Sequence, residues 1–341
     1  MDWFERITGF KESSYDETRE RLSIVGGRLH SSGTSRDWGV GVLEIPSLAE
    51  LRLRTAGLRT AGLQSGQGVT RLSIVQGDVR QMHANPANTR ALFQVASQFN
   101  LLEMVSSSVT PEQGVTRYQW DGTQGPACAM AAGAGTIFRN YFAPVDGQTG
   151  QREDRQIDCL REIGVALGNA QGQLWRMRNG YCLTHEVGLA AVDKQLSAMD
   201  AAHLDELRGR LRVGAHWDVE VTGAGAGHCV SQVYCSALPV SYNRIRNMES
   251  WERFASLVLE AAYEATLLVA LLNKRDYGSP VAYLTLLGGG AFGNRWSWIS
   301  AALKRAVLCV RDAGLDIRIV SYSTPGRDLQ DLADELAQEM W

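Results

Sequence analysis

The stretch VAYLTLLGGGAFGN, residues 281–294, carries the strongest structural signal in the sequence. Its first seven residues form a nearly continuous apolar run, which is typical of a central strand covered on both faces of a sheet. Three glycines follow at 288–290, a helix is predicted over 295–313, and a second apolar strand, IRIVSY, follows at 317–322. A buried strand, a glycine turn, a helix and another strand in this order predict an α/β fold.

The same alternation of strands and helices extends back to about residue 70. Further strands are predicted at 72–75, 91–97, 180–186, 216–222 and 229–240, and further helices at 125–135, 152–168, 200–211, 248–273 and 328–341. The helix at 248–273 is apolar nearly all round, which favours burial against a sheet. This order predicts a three-layer α/β/α sandwich with a mixed, largely parallel central sheet over residues 71–341.

Residues 1–70 are predicted to form an N-terminal extension that packs on this domain. The motif RTAGL occurs twice in tandem over 54–63, which is too little sequence for a repeat architecture. The segment LQSGQG at 63–68 is the best candidate linker, because polar and glycine residues join two apolar runs there. We therefore predict a boundary near residue 70.

Composition excludes several classes of protein. Of 341 residues 45% are apolar, enough for a buried core, and a net charge of -3 provides no general basic field for nucleic acid. No stretch comes near the roughly 20 uncharged apolar residues that cross a bilayer. Six scattered cysteines without a CxxC pair indicate reduced thiols. We expect a cytoplasmic protein that binds no metal, cofactor, nucleic acid or membrane, and the sequence leaves its oligomeric state open.

The glycine stretch also predicts a chemistry. Backbone N–H groups at a strand–helix turn can hold a phosphate or diphosphate without cationic side chains. Phe292 then lies where it can cover an adenosine or a ribose. The spacing matches neither GxGxxG nor GxxxxGK[ST], so neither common nucleotide fingerprint applies. A turn whose glycines serve packing alone is an equally good interpretation.

A second candidate segment is IVQGDV, residues 74–79, followed by the apolar run at 91–97. Asp78, just beyond a strand, can accept a hydrogen bond from an adenine amino group. Asn100, beyond the next strand, can bind a ribose hydroxyl through its amide. For each residue alone, a turn cap or a loop position is the simpler interpretation.

Taken together, GDV before an apolar strand and an Ala-x-x-x-Asn turn, with strand-GGGAFG-helix-strand late in the chain, resemble the macrodomain superfamily and its poly(ADP-ribose) glycohydrolase-like branch. The matching pieces cover residues 72–142 and 281–322. The resemblance implies that an acid reads adenine, an asparagine loop meets the distal ribose and the glycine loop wraps the diphosphate of ADP-ribose. The ligand-binding residues implied are Asp78, Val79, Asn100, Gln124, Gly288, Gly289, Gly290, Ala291, Phe292, Gly293 and Asn294.

The sequence departs from this pattern after Asn100. It has LLEM where relatives carry a glycine run, and no Gln-Glu-Glu triplet follows, so the mechanism on polymer cannot be transferred. Three spaced acids occur instead: Glu103, Glu112 and Asp121. This arrangement resembles bacterial macrodomain-like effectors that remove ADP-ribose from arginine, in which carboxylates line the corresponding region.

Carboxylates suit such a reaction. Cleavage at the ribose C1 develops oxocarbenium-like charge, which carboxylates stabilise, and one of them can act as a base toward water. We therefore expect a hydrolase that removes ADP-ribose from a modified protein side chain, arginine above all, with Asp121, Glu103 and Glu112 as catalytic candidates. Glu112 lies in TPEQG, which is also a plain turn signature. Two alternatives stay open: a non-catalytic module that binds ADP-ribose or a nucleotide, and an interaction protein whose glycines only pack.

Overall fold

A computed structural model describes residues 1–58, 68–223 and 226–340, and these ranges contain twelve helices and fourteen strands. The helices are α1 (Trp3–Thr8), α2 (Tyr15–Glu20), α3 (Leu48–Thr55), α4 (Val79–Ala84), α5 (Gln124–Ala131), α6 (Gly133–Tyr141), α7 (Arg161–Ala166), α8 (Glu186–Ser197), α9 (Ala201–Gly209), α10 (Glu252–Tyr277), α11 (Trp296–Cys309) and α12 (Arg327–Met340). The strands are β1 (Leu22–Val25), β2 (Arg28–Ser31), β3 (Thr34–Gly39), β4 (Val42–Glu44), β5 (Arg71–Gln76), β6 (Leu92–Ala96), β7 (Pro144–Val145), β8 (Gln148–Thr149), β9 (Trp175–Arg178), β10 (Tyr181–Thr184), β11 (Gly214–Glu220), β12 (Cys229–Cys235), β13 (Val281–Leu284) and β14 (Asp316–Ser321).

Seven of these strands form the central sheet, in the order β4-β11-β12-β6-β13-β14-β5. The run from β12 to β5 is parallel throughout, whereas β11 is antiparallel to both of its neighbours. The strand predicted from VAYLTLL is β13, and it lies near the middle of the sheet beside β6. The predicted mixed, largely parallel sheet is confirmed.

Helices cover both faces of this sheet. On one face, the ring of His83 in α4 stacks on Phe93 of β6, with ring centroids 3.7 Å apart. On the other face, the side-chain amide of the next residue, Gln94, donates to the Thr266 hydroxyl of α10 at 3.2 Å. Adjacent strand residues point to opposite faces, so α4 and α10 lie on opposite sides. The three-layer α/β/α architecture is therefore confirmed.

The helix α10 is the main element of the second face. By length and composition, the segment Glu249–Tyr277 could cross a bilayer. The expectation that no stretch of the sequence comes near this requirement is therefore wrong. In the folded chain, 89% of its most apolar window is buried inside the molecule. Packing against the sheet and against α11 therefore accounts for its composition.

A buried carboxylate joins three helices on this face. Glu264 of α10 is 3% exposed and accepts hydrogen bonds from Arg52 of α3 at 2.6 Å and from Arg305 of α11 at 2.5 Å. Burial alone would raise the pKa of Glu264, but the two guanidinium groups outweigh it and hold that pKa below the ordinary value. The ion pairs therefore fix α3, which comes from the N-terminal part of the chain, to the helices on this face of the sheet.

Removal of this carboxylate should destabilise the fold. We expect Glu264→Ala to lower the free energy of unfolding by about 3 kcal/mol, because it leaves two desolvated guanidinium groups without their shared partner. Chemical denaturation measures the loss, and Glu252→Gln in the exposed first turn of α10 should change the same quantity by less than about 0.5 kcal/mol. Since the pKa of Glu264 is lowered, its contribution is present above pH 4.5 and is lost as the pH falls through the lowered pKa. Equal stability of both variants at neutral pH would contradict this role.

The N-terminal part of the chain forms a small sheet of its own and adds one strand to the central sheet. Strands β1, β2 and β3 form a separate antiparallel sheet, and the apolar residues of this region share a second hydrophobic cluster with residues 102–141. Strand β4 pairs with β11 and forms one edge of the central sheet. Residues 59–67, which include the second RTAGL copy and most of the predicted linker, lie outside the described residues, and a domain boundary near residue 70 stays a prediction.

Two predicted helices have other boundaries than expected. A helix was expected over residues 152–168, but only Arg161–Ala166 is helical, because hydrogen bonds hold the backbone before Arg161 in a loop. The side chain of Gln151 donates to the carbonyls of Asn100 and Arg139 and accepts from the Ile157 N–H, which draws this stretch out as a loop. The predicted helix at 125–135 is divided into α5 and α6, and α6 continues to Tyr141.

Candidate functional site

The connections of two adjacent parallel strands open a cleft at the carboxyl edge of the sheet. The chain after β6 leads to α5 on one face, and the chain after β13 leads to α11 on the other. Strands whose connections leave on opposite faces create a crevice at their carboxyl ends, where α/β proteins bind ligands. Here the crevice has a volume of about 390 Å³, within the roughly 300–1,000 Å³ of small-molecule sites.

Three chain segments line this cleft: residues 96–98 and 103–105 at and after the end of β6, residues 121–126 at the start of α5, and residues 285–288 and 290–292 after β13. An aromatic wall completes it. The rings of Tyr181, Tyr242 and Phe292 contact one another, with centroids 5.1, 5.5 and 5.6 Å apart. Tyr322, which follows β14, lies at the rim with 82% of its surface exposed. The cleft thus offers planar apolar surfaces beside a glycine turn.

The glycine turn beside the cleft contains unused backbone donors. Within the described part of the chain, the N–H groups of four lining residues have no hydrogen-bond acceptor: Gly288, Gly290, Ala291 and Phe292. The other N–H groups of the turn are used inside it, since Gly289 donates to Leu286 and Asn294 donates to Gly288. Converging free N–H groups in a loop form an anion-binding cradle.

Neighbouring side chains fix the shape of this turn. Gly288 has φ 76°, and a Cβ there would lie 2.5 Å from the Cβ of Ala237, so glycine is required. The amide of buried Asn294 donates to the Leu238 carbonyl at 2.9 Å. Gly293, with φ 71°, packs on Ser241, and Gly289 faces Ile299 of α11. Gly289, Gly293 and Asn294 therefore support the loop and do not line the cleft.

Glu103 is the most unusual side chain of the cleft. It lines the cavity, is 3% exposed, and its Oε1 has no hydrogen-bond partner among the described residues. Burial raises the pKa of Glu103 well above its ordinary range, the Arg139 guanidinium opposes this shift, and the Asp121 carboxylate adds to it. A Cβ at Gly125 in α5 would overlap the carboxylate of Glu103, so the glycine permits this close approach. A desolvated carboxyl with an unused oxygen is suited to hold and release a proton.

Because its pKa is raised on folding, Glu103 should make the protein less stable as the pH rises. The folded chain holds this proton more tightly than the unfolded chain, so the contribution of Glu103 is full below its ordinary pKa of 4.5 and is lost as the pH climbs toward the raised value. Above pH 4.5 the free energy of unfolding of Glu103→Gln should therefore rise relative to that of the wild type, until the pH passes the raised pKa of Glu103. Parallel stability curves would show that Glu103 is charged in the folded protein at neutral pH.

Asp121 supplies a second carboxyl in a wetter setting. It lines the cleft, is half-buried, and accepts hydrogen bonds from the N–H and hydroxyl of Thr123 at 2.9 and 2.6 Å. Gln124, the first residue of α5, accepts from the Ala96 N–H at 3.0 Å and donates to the Gln94 carbonyl at 2.7 Å. These bonds tie the start of α5 to β6. Glu103 and Asp121 thus form a pair of carboxyls with contrasting environments, as acid–base chemistry requires.

Asp78 is at the same sheet edge but does not line this cleft. Gly77 donates to the Ser321 carbonyl, so Asp78 follows β5 beside the end of β14. Its carboxylate caps α4 by accepting from the Arg80 N–H at 2.8 Å, and it lines a neighbouring depression. Val79 is buried in the first turn of α4. The adenine contact expected of Asp78 and Val79 therefore receives no support from the shape of the cleft, because the cap orients Asp78 toward its own helix.

Two further predicted residues lie outside the lining. Asn100 is fully buried, donates to Gln156 at 2.8 Å and accepts from the Leu102 N–H at 3.2 Å, so its amide is used internally. Glu112 lies on a short 3₁₀ turn and accepts from the Glu153 N–H at 2.9 and 3.1 Å. Neither the ribose contact of Asn100 nor the catalytic role of Glu112 fits this placement, and the turn interpretation of TPEQG describes Glu112 better.

Several residues that shape the cleft carry no recognisable signal in the sequence. Tyr181 and Tyr242 come from separate segments, and no local pattern marks them as partners of Phe292. Arg139 is fully buried behind the cleft. It donates to the Leu101 carbonyl, the Thr136 hydroxyl and the His216 ring, and it lies 3.6 Å from the centroid of Tyr234. Among the described residues, no group of three His, Cys, Asp or Glu side chains could hold a metal ion.

The chain has similar proteins among solved structures. No protein-family model and no curated protein matches the chain. Among solved structures, the chain is similar to poly(ADP-ribose) glycohydrolase from Thermomonospora curvata, with 12% identity, a TM-score of 0.43 and 96% of each chain covered. The same enzyme bound to the inhibitor ADP-HPD gives 12% identity and a TM-score of 0.43 over 95% of each chain. Both belong to the group that the sequence motifs resemble, and at this level of similarity the function has to be argued from the cleft itself.

Proposed function

We propose that the cleft binds ADP-ribose and that the protein is a hydrolase that removes ADP-ribose from a modified protein side chain, with arginine as the favoured acceptor. One observation carries this proposal: a single cleft combines a cradle of free backbone N–H groups at 288–292 with the buried, unpartnered carboxyl of Glu103. The first feature suits a diphosphate, and the second suits the cleavage of a glycosidic bond.

The binding half of the proposal rests on the glycine turn and the aromatic wall. The N–H groups of Gly288, Gly290, Ala291 and Phe292 compensate the negative charge of the diphosphate without a cationic side chain. The rings of Tyr181, Tyr242 and Phe292 offer flat surfaces against which a sugar or a base can pack. Together these contacts hold the scissile bond in a fixed position near the two carboxyls.

The chemical half assigns contrasting roles to Asp121 and Glu103. Water attacks the ribose C1, and its proton passes to the half-buried Asp121 carboxylate. The bond between C1 and the guanidine nitrogen breaks, its electron pair stays on the nitrogen, and the proton held by Glu103 passes to that departing group. The developing positive charge at C1 is stabilised by the Asp121 carboxylate. Water thereby adds a hydroxyl to the ribose, and the acceptor leaves as an arginine guanidinium.

The test uses the purified protein with a substrate protein that carries one ADP-ribose on arginine. We expect release of ADP-ribose, and we expect calorimetry to detect binding of free ADP-ribose. Matched substrates modified on glutamate or serine establish the acceptor, and release from these alone would overturn the assignment to arginine. Binding without release from any substrate would identify a non-catalytic ADP-ribose module. No binding at millimolar ADP-ribose would contradict both functions.

A further inference from the structure

Both carboxyls of the cleft lie in a stretch with little regular structure. Between residues 97 and 123 the backbone forms only two short 3₁₀ turns, Pro111–Gln113 and Thr116–Trp120. Connections of this length without secondary structure are uncommon in compact domains and tend to open locally. In this protein Leu102 and Tyr118 are at most 2% exposed. Something outside the stretch must therefore hold it in place.

Glu12, in the N-terminal segment, makes three hydrogen bonds to this stretch and its support. One carboxylate oxygen accepts from the Val115 N–H at 2.9 Å and from the Tyr141 hydroxyl at 2.8 Å. The other accepts from the Thr116 N–H at 2.7 Å. A carboxylate that receives two consecutive N–H groups caps the start of the 3₁₀ turn at 116–120, and hydrogen bonds to a charged acceptor are among the stronger ones.

Trp3 holds the same turn from its other side. Its indole N–H donates to the Thr116 carbonyl at 3.1 Å, and its ring stacks on Tyr118 with centroids 6.5 Å apart and 24° between the planes. Both the N–H and the carbonyl of Thr116 are thus bound by residues from the first twelve positions of the chain.

Tyr118 transmits this placement to the cleft. Its hydroxyl accepts from the Glu103 backbone N–H at 2.8 Å, and its carbonyl accepts from the Asp121 N–H at 3.2 Å. The glycine turn on the opposite wall has separate supports, since Phe292 accepts from the Ser241 N–H and Asn294 donates to Leu238. None of the hydrogen bonds made by Glu12 and Trp3 reaches the glycine turn, so these two residues anchor the carboxyl wall and not the anion cradle.

From these contacts we infer that Glu12 is a positioning residue for the reaction: through the turn at 116–120 it fixes Glu103 and Asp121 against the bound ribose, without touching the ligand. The N-terminal segment then controls the chemical step and not the affinity for ADP-ribose. This inference rests on the proposed function, because it assigns Glu103 and Asp121 to the reaction.

The test is Glu12→Gln in the full chain. The amide keeps the shape of the side chain but turns an NH₂ group toward backbone donors, so the turn should shift. We expect the turnover number to fall by about 10–100-fold, the effect of a small misplacement of reacting groups, with the Kd of ADP-ribose unchanged. The matched control is Glu20→Gln, an exposed acid of α2 whose side chain makes no hydrogen bond among the described residues, and it should change neither quantity.

Hydrogen exchange gives a readout that does not depend on activity. In Glu12→Gln the amides of residues 102–121 should exchange faster, and those of residues 285–294 should not. Unchanged turnover, or an equal loss of turnover and of ADP-ribose affinity, would overturn the positioning role. A wild-type protein that releases no ADP-ribose would contradict the proposed function instead, and the exchange comparison would still decide whether Glu12 holds the turn. If Glu12→Gln does not fold, Glu12→Asp, which keeps the charge but shortens the reach, replaces it with the same readouts.

Discussion

Replacement of Glu103 by glutamine should lower the rate of ADP-ribose release by about 10²–10⁴-fold, the usual contribution of a positioned acid or base. Glutamine has the shape of the protonated carboxyl and fills the same buried space, but it can neither give nor take the proton. The affinity for ADP-ribose should stay close to that of the wild type, because the glycine turn and the aromatic wall are unchanged. Release assays and calorimetry on the same preparation separate the two effects.

The sequence offers a matched control for this variant. Glu112 is also a catalytic candidate by sequence, in a stretch that is a plain turn signature, and it lies outside the cleft, where it accepts from the Glu153 N–H. Glu112→Gln should therefore leave release and binding unchanged. If Glu103→Gln retained full activity, the proposed mechanism would be wrong even if the protein hydrolyses the substrate.

Valine at position 290 should weaken ADP-ribose binding by about 10–100-fold, equivalent to about 1.4–2.8 kcal/mol. Gly290 lines the cleft, its φ is not in the left-handed region, and a Cβ built there meets no atom within 4 Å. The new side chain therefore adds bulk to the lining of the cleft, in the same turn as the free N–H groups, without displacing any atom of the loop. Calorimetry measures the affinity, and thermal unfolding should show little change in stability.

Two other glycines make this experiment specific. Gly326, before α12, is equally open but does not line the cleft, so Gly326→Val should leave the affinity unchanged. Gly289 faces Ile299, with 3.1 Å between a built Cβ and the Ile299 Cδ1, so Gly289→Val should lower stability first. Undiminished affinity in Gly290→Val would mean that the diphosphate does not bind at this turn.

The central layer could be predicted because each of its strands carries its own local signal. The run at 281–287 and the glycines after it indicated a buried strand and a sharp turn, and both are present in the fold. The helix expected at 152–168 failed because the side chain of Gln151 binds backbone groups of Asn100 and Arg139, which lie far away in sequence. The spacing of apolar residues within a segment carries no information about hydrogen bonds to residues so far away in sequence.

The edge of the sheet at which the site lies could be predicted from the sequence. The side chains that line the site could be predicted less well. Glu103 and Asp121 were singled out because the chemistry calls for carboxyls, and both line the cleft. Asn100 was singled out by its place after a strand, but its amide is satisfied by Gln156, a partner 56 positions away. A residue at the end of a strand is confined to one edge, whereas the direction of its side chain depends on distant partners.

The order of strands in the sheet has a consequence for biosynthesis. The ribosome completes β6 more than a hundred residues before either of its neighbours, β12 and β13, and β5 waits still longer for β14. A nascent chain therefore exposes β6 without a partner until β12 is complete, and β5 without a partner until β14 is complete, and pairings between such distant segments form slowly. The demand for chaperones during expression should fall only once residue 321 has emerged, and truncated products that end before β13 should aggregate.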